Sequence, residues 1–514
     1  MFRRHSIPVW LTGVAAVGAL QMQAATAAPC EQLADLKLPH VTITSAASVA
    51  AGAFKPAAAG GGGPGAPTTD YGHLPAFCRV AGVLRPSPDS DIRFEVWLPA
   101  SGWNGKFVGT GNGVWAGSIV LSSMVEPLAK GYATMATDDG HQGSPLDASF
   151  AAGHPEKLVD FGYRAVHETT VAAKALIKAF FDKPESRSLF VSCSTGGRQG
   201  LMEAYRYPKD YDGISAMAPA NPMVGLMVAS LWTGAATMKD PASRIPPQKF
   251  ALVHKAVLQA CDARDGVSDG IVSHLGCDFD PQVLQCKAGD GADCLSAPQV
   301  AALRAIYAGV RNPRTSDLIY PGFEPGSEGM LPLLTMGSEP FPVATTFFRA
   351  LVFHDPKWDF RSFDYDRDVE RSMKFGHAVL DVPPSGVNAF LAGGRKLLLS
   401  HGMADGLIPT RSTVNFYTAV MQQAGAKESA NTRLFLAPGM GHCGGGDGPS
   451  VIDTISAIDS WVGTGNAPQR IIASNLPGAV ARTRPLCPYP QEAVYGGKGS
   501  KDEEQNFRCE APAH

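Results

Sequence analysis

Between Arg93 and Leu98 apolar and polar residues alternate (Arg-Phe-Glu-Val-Trp-Leu), the period of a strand with one buried face. Lys106-Phe107-Val108 continues that pattern and breaks into Gly109-Thr110-Gly111-Asn112-Gly113, and Tyr132–Thr137 predicts another strand. The spacing from Tyr163 to Phe181 predicts an amphipathic helix. Apolar runs at Leu189–Val191 and Asp212–Met217 predict strands on either side of a helix that begins after Ser194. Strands alternating with helices imply a mostly parallel sheet. The rhythm fails from about Asn221 to Pro384, an irregular stretch with four cysteines, and returns at Lys396–Leu399 and Thr432–Ala437. We therefore expect a sheet domain in two parts, 28–220 and 385–514, with a lid domain inserted at 221–384. The Ala-, Gly- and Pro-rich run from Ala57 to Pro67 reads as a surface loop, and no internal repeat is evident.

Three strand ends carry candidate chemistry. Leu189-Phe190-Val191-Ser192-Cys193-Ser194-Thr195-Gly196-Gly197 is an apolar strand breaking at small residues into a helix, the pattern of an α/β-hydrolase nucleophile elbow with Ser192 where G-x-S-x-G has glycine. At such a turn Ser194 would stand above the sheet edge, at a helix N-terminus that favours developing negative charge. The strand from Lys396 ends in a loop bearing Asp405, and the strand at Thr432–Ala437 in a glycine-rich loop bearing His442. The order Ser, Asp, His is that of the α/β-hydrolase fold. The Gly109–Gly113 loop fits the second arm of an oxyanion hole; phosphate binding is the rival reading, but no Lys-Ser/Thr pair closes it as a P-loop would.

The 44 Lys and Arg against 47 Asp and Glu, without a dense basic cluster, give no reason to invoke nucleic acid or an anionic membrane. Basic Met1–Arg4, the apolar run Ile7–Leu20 and the small-residue Ala25-Thr26-Ala27 predict a signal peptide over 1–27, too short to anchor in a bilayer, and hence a secreted or periplasmic protein. Ten cysteines in an exported chain suggest five disulfides. Within Cys261-Asp262-Ala263-Arg264-Asp265-Gly266-Val267-Ser268-Asp269-Gly270-Ile271, three carboxylates and two glycines can wrap hard oxygen ligands around one Ca²⁺. The spacing is not that of an EF-hand, and a solvated acidic turn is the alternative.

Cys193 adjoins Ser194 and Cys443 adjoins His442. With Trp103-Asn104-Gly105 and the tail Ala481–Pro490, these pairs make the chain resemble the tannase and feruloyl esterase family, including its mono(2-hydroxyethyl) terephthalate hydrolases. The resemblance spans nearly the whole mature chain. It implies Ser194 as nucleophile, His442 as general base and acid, Asp405 as the residue orienting it, and the N–H groups of Thr195 and Gly113 as oxyanion hole, with Gly111 as a substitute for Gly113. It also implies the pairs Cys30–Cys78, Cys193–Cys443, Cys261–Cys277, Cys286–Cys294 and Cys487–Cys509. A structural Ca²⁺ would be held by Asp262, Asp265, Asp269 and the carbonyls of Val267 and Ile271. No organic cofactor is implied.

Other residues invite attention. His141 is expected near the cleft rim, His167 as a satisfied helix histidine, and His401 as a packing residue beside Asp405. Phe347, Phe348 and Trp358 are either core aromatics or the wall against which an aromatic acyl group stacks. The resemblance implies hydrolysis of small aromatic (phenolic) esters of the hydroxycinnamate or gallate type. Terephthalate monoesters rank second, because the stretch around Pro342 offers no arginine for their free carboxylate and Arg349 falls a helical turn later. A non-catalytic binding protein on the same fold is the reading of a different class.

Overall fold

The computed structural model describes residues 1–2, 28–56, 69–478 and 480–511. The expected signal-peptide features from Arg3 to Ala27 and the run Ala57–Pro67 lie outside the described residues. Nine strands form one sheet: β1 (Val41–Val49), β2 (Phe77–Leu84), β3 (Ile92–Pro99), β4 (Lys106–Gly109), β5 (Ala133–Thr137), β6 (Arg187–Cys193), β7 (Gly213–Met217), β8 (Lys396–Gly402) and β9 (Thr432–Ala437), in the spatial order 1-2-3-5-4-6-7-8-9. β1, β2, β3 and β5 pair antiparallel in turn, and from β5 onward every neighbour is parallel. This is the α/β-hydrolase arrangement. The antiparallel pair β1–β2 has no counterpart in the sequence reading.

The parallel strands are buried on both faces, so they read as continuous apolar runs. Leu397 and Leu399 of β8 join one core with Leu176 and Ile177 of α1 (Ala165–Phe181) and Leu201 of α2 (Thr195–Arg206). Between them, Leu398 faces the other way, into a core with Phe435 and a late helix carrying Ile458 and Trp461. Each fully buried leucine of this kind contributes about 1.5–3 kcal/mol.

The parallel register sets the site. Cys193 of β6 lies opposite Met217 of β7, which lies opposite Ser400 of β8, and Gly402 lies opposite Ala437 of β9. The segments after β6, β8 and β9 therefore leave the sheet at one edge, the carboxyl end where ligands bind in such folds.

The chain between β7 and β8 is an insertion, since those two strands are neighbours. It is helical where irregular structure was expected, with α3 (Met223–Met238), α4 (Pro247–Cys261), α5 (Ala297–Ala308) and α6 (Arg367–Leu380). In α3 only Trp232 and Ala236 escape full burial. A helix buried all round has no polar face, so no 3.6-residue alternation announces it. All five expected disulfides are present: Cys30–Cys78, Cys193–Cys443, Cys261–Cys277, Cys286–Cys294 and Cys487–Cys509. Among the described residues no helix is long and apolar enough to cross a membrane.

Candidate active site

Ser194 sits between β6 and α2 with φ 63° and ψ −126°, a strained turn that its neighbours enforce. Its N–H donates to Met217 O at 3.0 Å. A Cβ at Gly197 would come 2.6 Å from that same carbonyl oxygen, so the helix can approach β7 only with glycine there. The turn leaves Ser194 Oγ 2.9 Å from His442 Nε2, and His442 Nδ1 lies 2.7 Å from Asp405 Oδ2. A carboxylate only accepts, so Nδ1 carries the proton and Nε2 is free to accept from the serine hydroxyl. The structure thus brings together the three residues singled out from the sequence.

Asp405 is fully buried, and four groups hold it. Its Oδ1 accepts the N–H groups of Leu407 (2.8 Å) and Ile408 (2.9 Å), while Oδ2 faces His442 and, at 3.2 Å, His401 Nε2. Burial alone would raise its pKa, but the His442 ring, by its charge when protonated and by its hydrogen bond, and the His401 Nε2–H, shared with Ile408 O, hold the carboxyl well below the usual carboxylate range. His401 packs as expected: Nε2 donates to Ile408 O at 3.0 Å and Nδ1 accepts from Thr413 Oγ1 at 2.8 Å.

Side chains hold the Gly109–Gly113 loop to the elbow, two of them, Ser192 and Gln199, without a role assigned from the sequence. Ser192, where the motif has glycine, accepts the Gly111 N–H on its Oγ at 3.2 Å. Gln199 of α2 accepts the Asn112 N–H at 2.9 Å and donates to buried Asp139 at 2.5 Å. Thr195 Oγ1 donates to Val114 O at 2.7 Å. With Gly111 spent on Ser192, it does not serve as the substitute oxyanion donor. Among the described residues the N–H groups of Thr195, Gly113 and Val114 have no protein acceptor, whereas those of Gly111, Asn112, Ser194 and Gly196 do.

Ser194 and His442 open into an apolar cleft lined by Val114, Met223, Met227, Leu334, Phe341 and Val343, among others, with Thr195 and Ser230 as further polar residues and no Asp, Glu, Lys or Arg side chain. Phe347 and Phe348 do not line it. Both are fully buried, Phe347 stacked on Trp115 and Phe348 packed edge-on to Phe363, in one apolar core with Val343. Arg349 is committed to Glu339 (2.7 and 2.9 Å) and to Trp358 O. His141 is not on the rim: it is buried, stacked on Phe150 at 3.5 Å, and burial drives its pKa down to about 4.

Two clusters bear on metals. His167, Glu203 and Asp210 are the one group of three ligand-type side chains within 4.8 Å of one another among the described residues. His167 Nδ1 lies 2.6 Å from Asp210, closer than the roughly 3.3 Å that separates two ligands about 2.0–2.1 Å from a tetrahedral ion. This is a hydrogen-bonded pair, the satisfied histidine expected. In the 262–271 loop, Asp262 accepts the N–H groups of Asp269, Gly270 and Ile271, and Asp265 that of Val267. Burial raises the Asp265 and Asp269 carboxyls, and neighbouring acids raise them further. Asp269 pairs with Arg484 through Oδ2, but its Oδ1 is buried without a partner. The carbonyls of Ser268 and Asp269 accept from Lys501 and Arg482, whereas those of Val267 and Ile271 accept from no described group. An orphaned carboxylate oxygen and two free carbonyls fit a hard dication.

Residues 78–510 match the family described as tannase and feruloyl esterase. The chain is 38% identical to an uncharacterised esterase of Xanthomonas campestris pv. campestris, over 99% of this chain and 96% of that protein. The crystal structure of feruloyl esterase B from Aspergillus oryzae is similar with a TM-score of 0.84 at 28% identity, covering 93% of this chain and 99% of that one. The tannin acyl hydrolase of Aspergillus niger shares the fold, with a TM-score of 0.76 at 21% identity over 95% and 93% of the two chains.

Proposed function

The chain belongs to the tannase and feruloyl esterase family and is a carboxylic ester hydrolase, and from that premise we propose that it cleaves esters of aromatic acids by a Ser194–His442–Asp405 acyl-enzyme mechanism. The observation that carries this reading is the unbroken chain of hydrogen bonds from Ser194 Oγ through His442 to Asp405, 2.9 and 2.7 Å long. His442 Nε2 takes the hydroxyl proton as Ser194 Oγ attacks the ester carbonyl. The oxyanion that forms accepts the uncommitted N–H groups of Thr195 and Gly113, in a site whose apolar walls strengthen those bonds. His442 returns the proton to the leaving alcohol, and water then repeats the path to free the acid.

The cleft favours a neutral aromatic acyl group. Its methionine, leucine and phenylalanine walls suit a ring, and with the Thr195 hydroxyl committed to Val114 O, the hydroxyl of Ser230 suits a hydroxycinnamate better than the three hydroxyls of a gallate. With no Lys or Arg side chain lining the cleft and Arg349 paired to Glu339, a terephthalate monoester would bury its carboxylate unpaired, which is costly. We read the insertion as the lid expected at 221–384. The loop of Asp262, Asp265 and Asp269, with the carbonyls of Val267 and Ile271, we read as holding a structural Ca²⁺ that stabilises the fold and takes no part in the chemistry. Five disulfides support a secreted or periplasmic location.

The test is a panel of methyl ferulate, methyl gallate and mono(2-hydroxyethyl) terephthalate with wild type and Ser194→Ala. We expect methyl ferulate to give the highest kcat/KM and the variant to lose about 10⁵-fold or more on it. Wild-type turnover in Ser194→Ala would overturn the mechanism, and a preference for the terephthalate would overturn the substrate reading.

A further inference from the structure

The loop that carries His442 has little regular structure to hold it. Five of the eight residues from Gly439 to Gly446 are glycine, and Gly439, Cys443, Gly444, Gly445 and Gly446 all have positive φ. Such backbone loses much conformational freedom when ordered and stays in one arrangement only if its surroundings fix it. Two bonds of its own, Gly441 N to Gly445 O and Asp447 N to Gly439 O, both 2.9 Å, close the loop on itself. They do not fasten it to the rest of the molecule.

The insertion supplies fastenings. Met330 accepts the His442 N–H on its sulfur at 3.2 Å. Farther along, His254 of α4 stands between two carboxylates: Nδ1 is 2.8 Å from Glu328 Oε2, and Nε2 is 2.9 Å from Asp447 Oδ2. Carboxylate oxygens only accept, so both contacts are hydrogen bonds when both ring nitrogens are protonated. Glu328 is itself anchored, fully buried and accepting the Tyr307 hydroxyl at 2.6 Å and the Gly326 N–H at 2.9 Å. Asp447 is half exposed and closes the base of the His442 loop. A cation with one foot in the core of the insertion thus grips the glycine loop.

We propose that His254 is a positioning residue of the esterase: as an imidazolium bridging Glu328 and Asp447, it holds the glycine loop so that His442 Nε2 stays within reach of Ser194 Oγ. The proposal rests on the triad reading above. It extends the catalytic apparatus into the insertion, some 190 residues before His442 in the chain, and it makes turnover depend on the charge of a histidine that touches no substrate. Misplacement of a catalytic group by about 1 Å can cost roughly a hundredfold in rate.

Hydrogen bonds to Asp447 and Glu328 hold the imidazole charged against its burial, with its pKa raised to about 10. The titratable groups facing it are these two carboxylates and, through Glu328, the Tyr307 hydroxyl on α5. A raised pKa means that the clasp is intact at neutral pH and is lost as pH rises through about 10.

The experiment compares kcat and KM for methyl ferulate across pH 6–11 in wild type, His254→Gln, Asp447→Asn, Ser194→Ala and the surface control Arg304→Gln, with melting curves to verify folding. The expected result is a kcat lower by about tenfold to a hundredfold in His254→Gln with KM nearly unchanged, a smaller loss in Asp447→Asn, and none in Arg304→Gln. The wild-type fall in kcat near pH 10 should be absent from His254→Gln, which a merely structural role would not produce. Should His254→Gln fail to fold, Asp447→Asn, on an exposed side chain, carries the same comparison. Wild-type kcat and an unchanged alkaline limb in the folded variants, with Ser194→Ala inactive, overturn the clasp. An active Ser194→Ala overturns the triad on which it rests.

Discussion

Ser194 and His442 face each other across 2.9 Å, yet their supports differ in kind. On the serine side the backbone itself does the positioning: β6 is hydrogen-bonded on both edges, α2 starts one residue later, and Gly197 lets that helix settle on β7. On the histidine side β9 ends at Ala437 and a glycine loop follows, held by one backbone bond from Ala404 N–H to Met440 O, the disulfide to Cys193, the sulfur of Met330 and the His254–Asp447 pair. A strand end followed by a helix or a tight turn places its catalytic group by its own backbone. A group on a glycine loop needs further contacts to be held within about 0.5 Å of its productive position. Asp405 belongs with the serine side, since Leu407 and Ile408 of its own turn hold it.

The largest effect that sharpens this contrast is expected from Asp405→Asn. The amide can keep the contacts to Leu407 and Ile408, so the fold stays, but it no longer sets the His442 tautomer, and kcat should fall by about 10⁴. A rate within tenfold of wild type would place the orienting acid elsewhere.

Next in size is Cys193→Ala/Cys443→Ala. If the histidine side depends on cross-links, this pair should lose about a hundredfold in kcat when assayed well below its lowered melting temperature. Cys286→Ala/Cys294→Ala, a bridge closing only eight residues of the insertion, should leave kcat within about twofold. Equal losses in the two double variants would mean that the first bridge acts on stability alone.

How much of this was legible beforehand follows from the range of the interactions. Ser194, Asp405 and His442 could be found because each follows a strand in a turn of small residues, a local pattern. The disulfide partners were legible only through the resemblance, since spacing leaves many pairings open. Ser192, Gln199, Met330 and His254 carried no local signal; their roles exist only once distant segments meet. Phe347 and Phe348 stay open between wall and core in the sequence, because a pair of aromatic residues looks the same there whether it faces a cleft or a core; the structure places both in the core. The helix α3 was hidden by its own uniform apolarity.

The smallest rate effect is expected from calcium removal. Chelation should lower the melting temperature by several degrees, because an ion bound only by the folded state stabilises it by mass action. Turnover at 25 °C, well below the lowered melting temperature, should be unchanged. An unmoved melt together with no calcium by elemental analysis would retire the ion.

The central claim, that Ser194 is acylated, is tested most directly by quenching the enzyme during turnover of a slow aromatic ester and mapping the adduct by mass spectrometry. The account predicts one acyl group, on Ser194, and none in Ser194→Ala. An acyl group on another residue, or continued hydrolysis by Ser194→Ala, would contradict it.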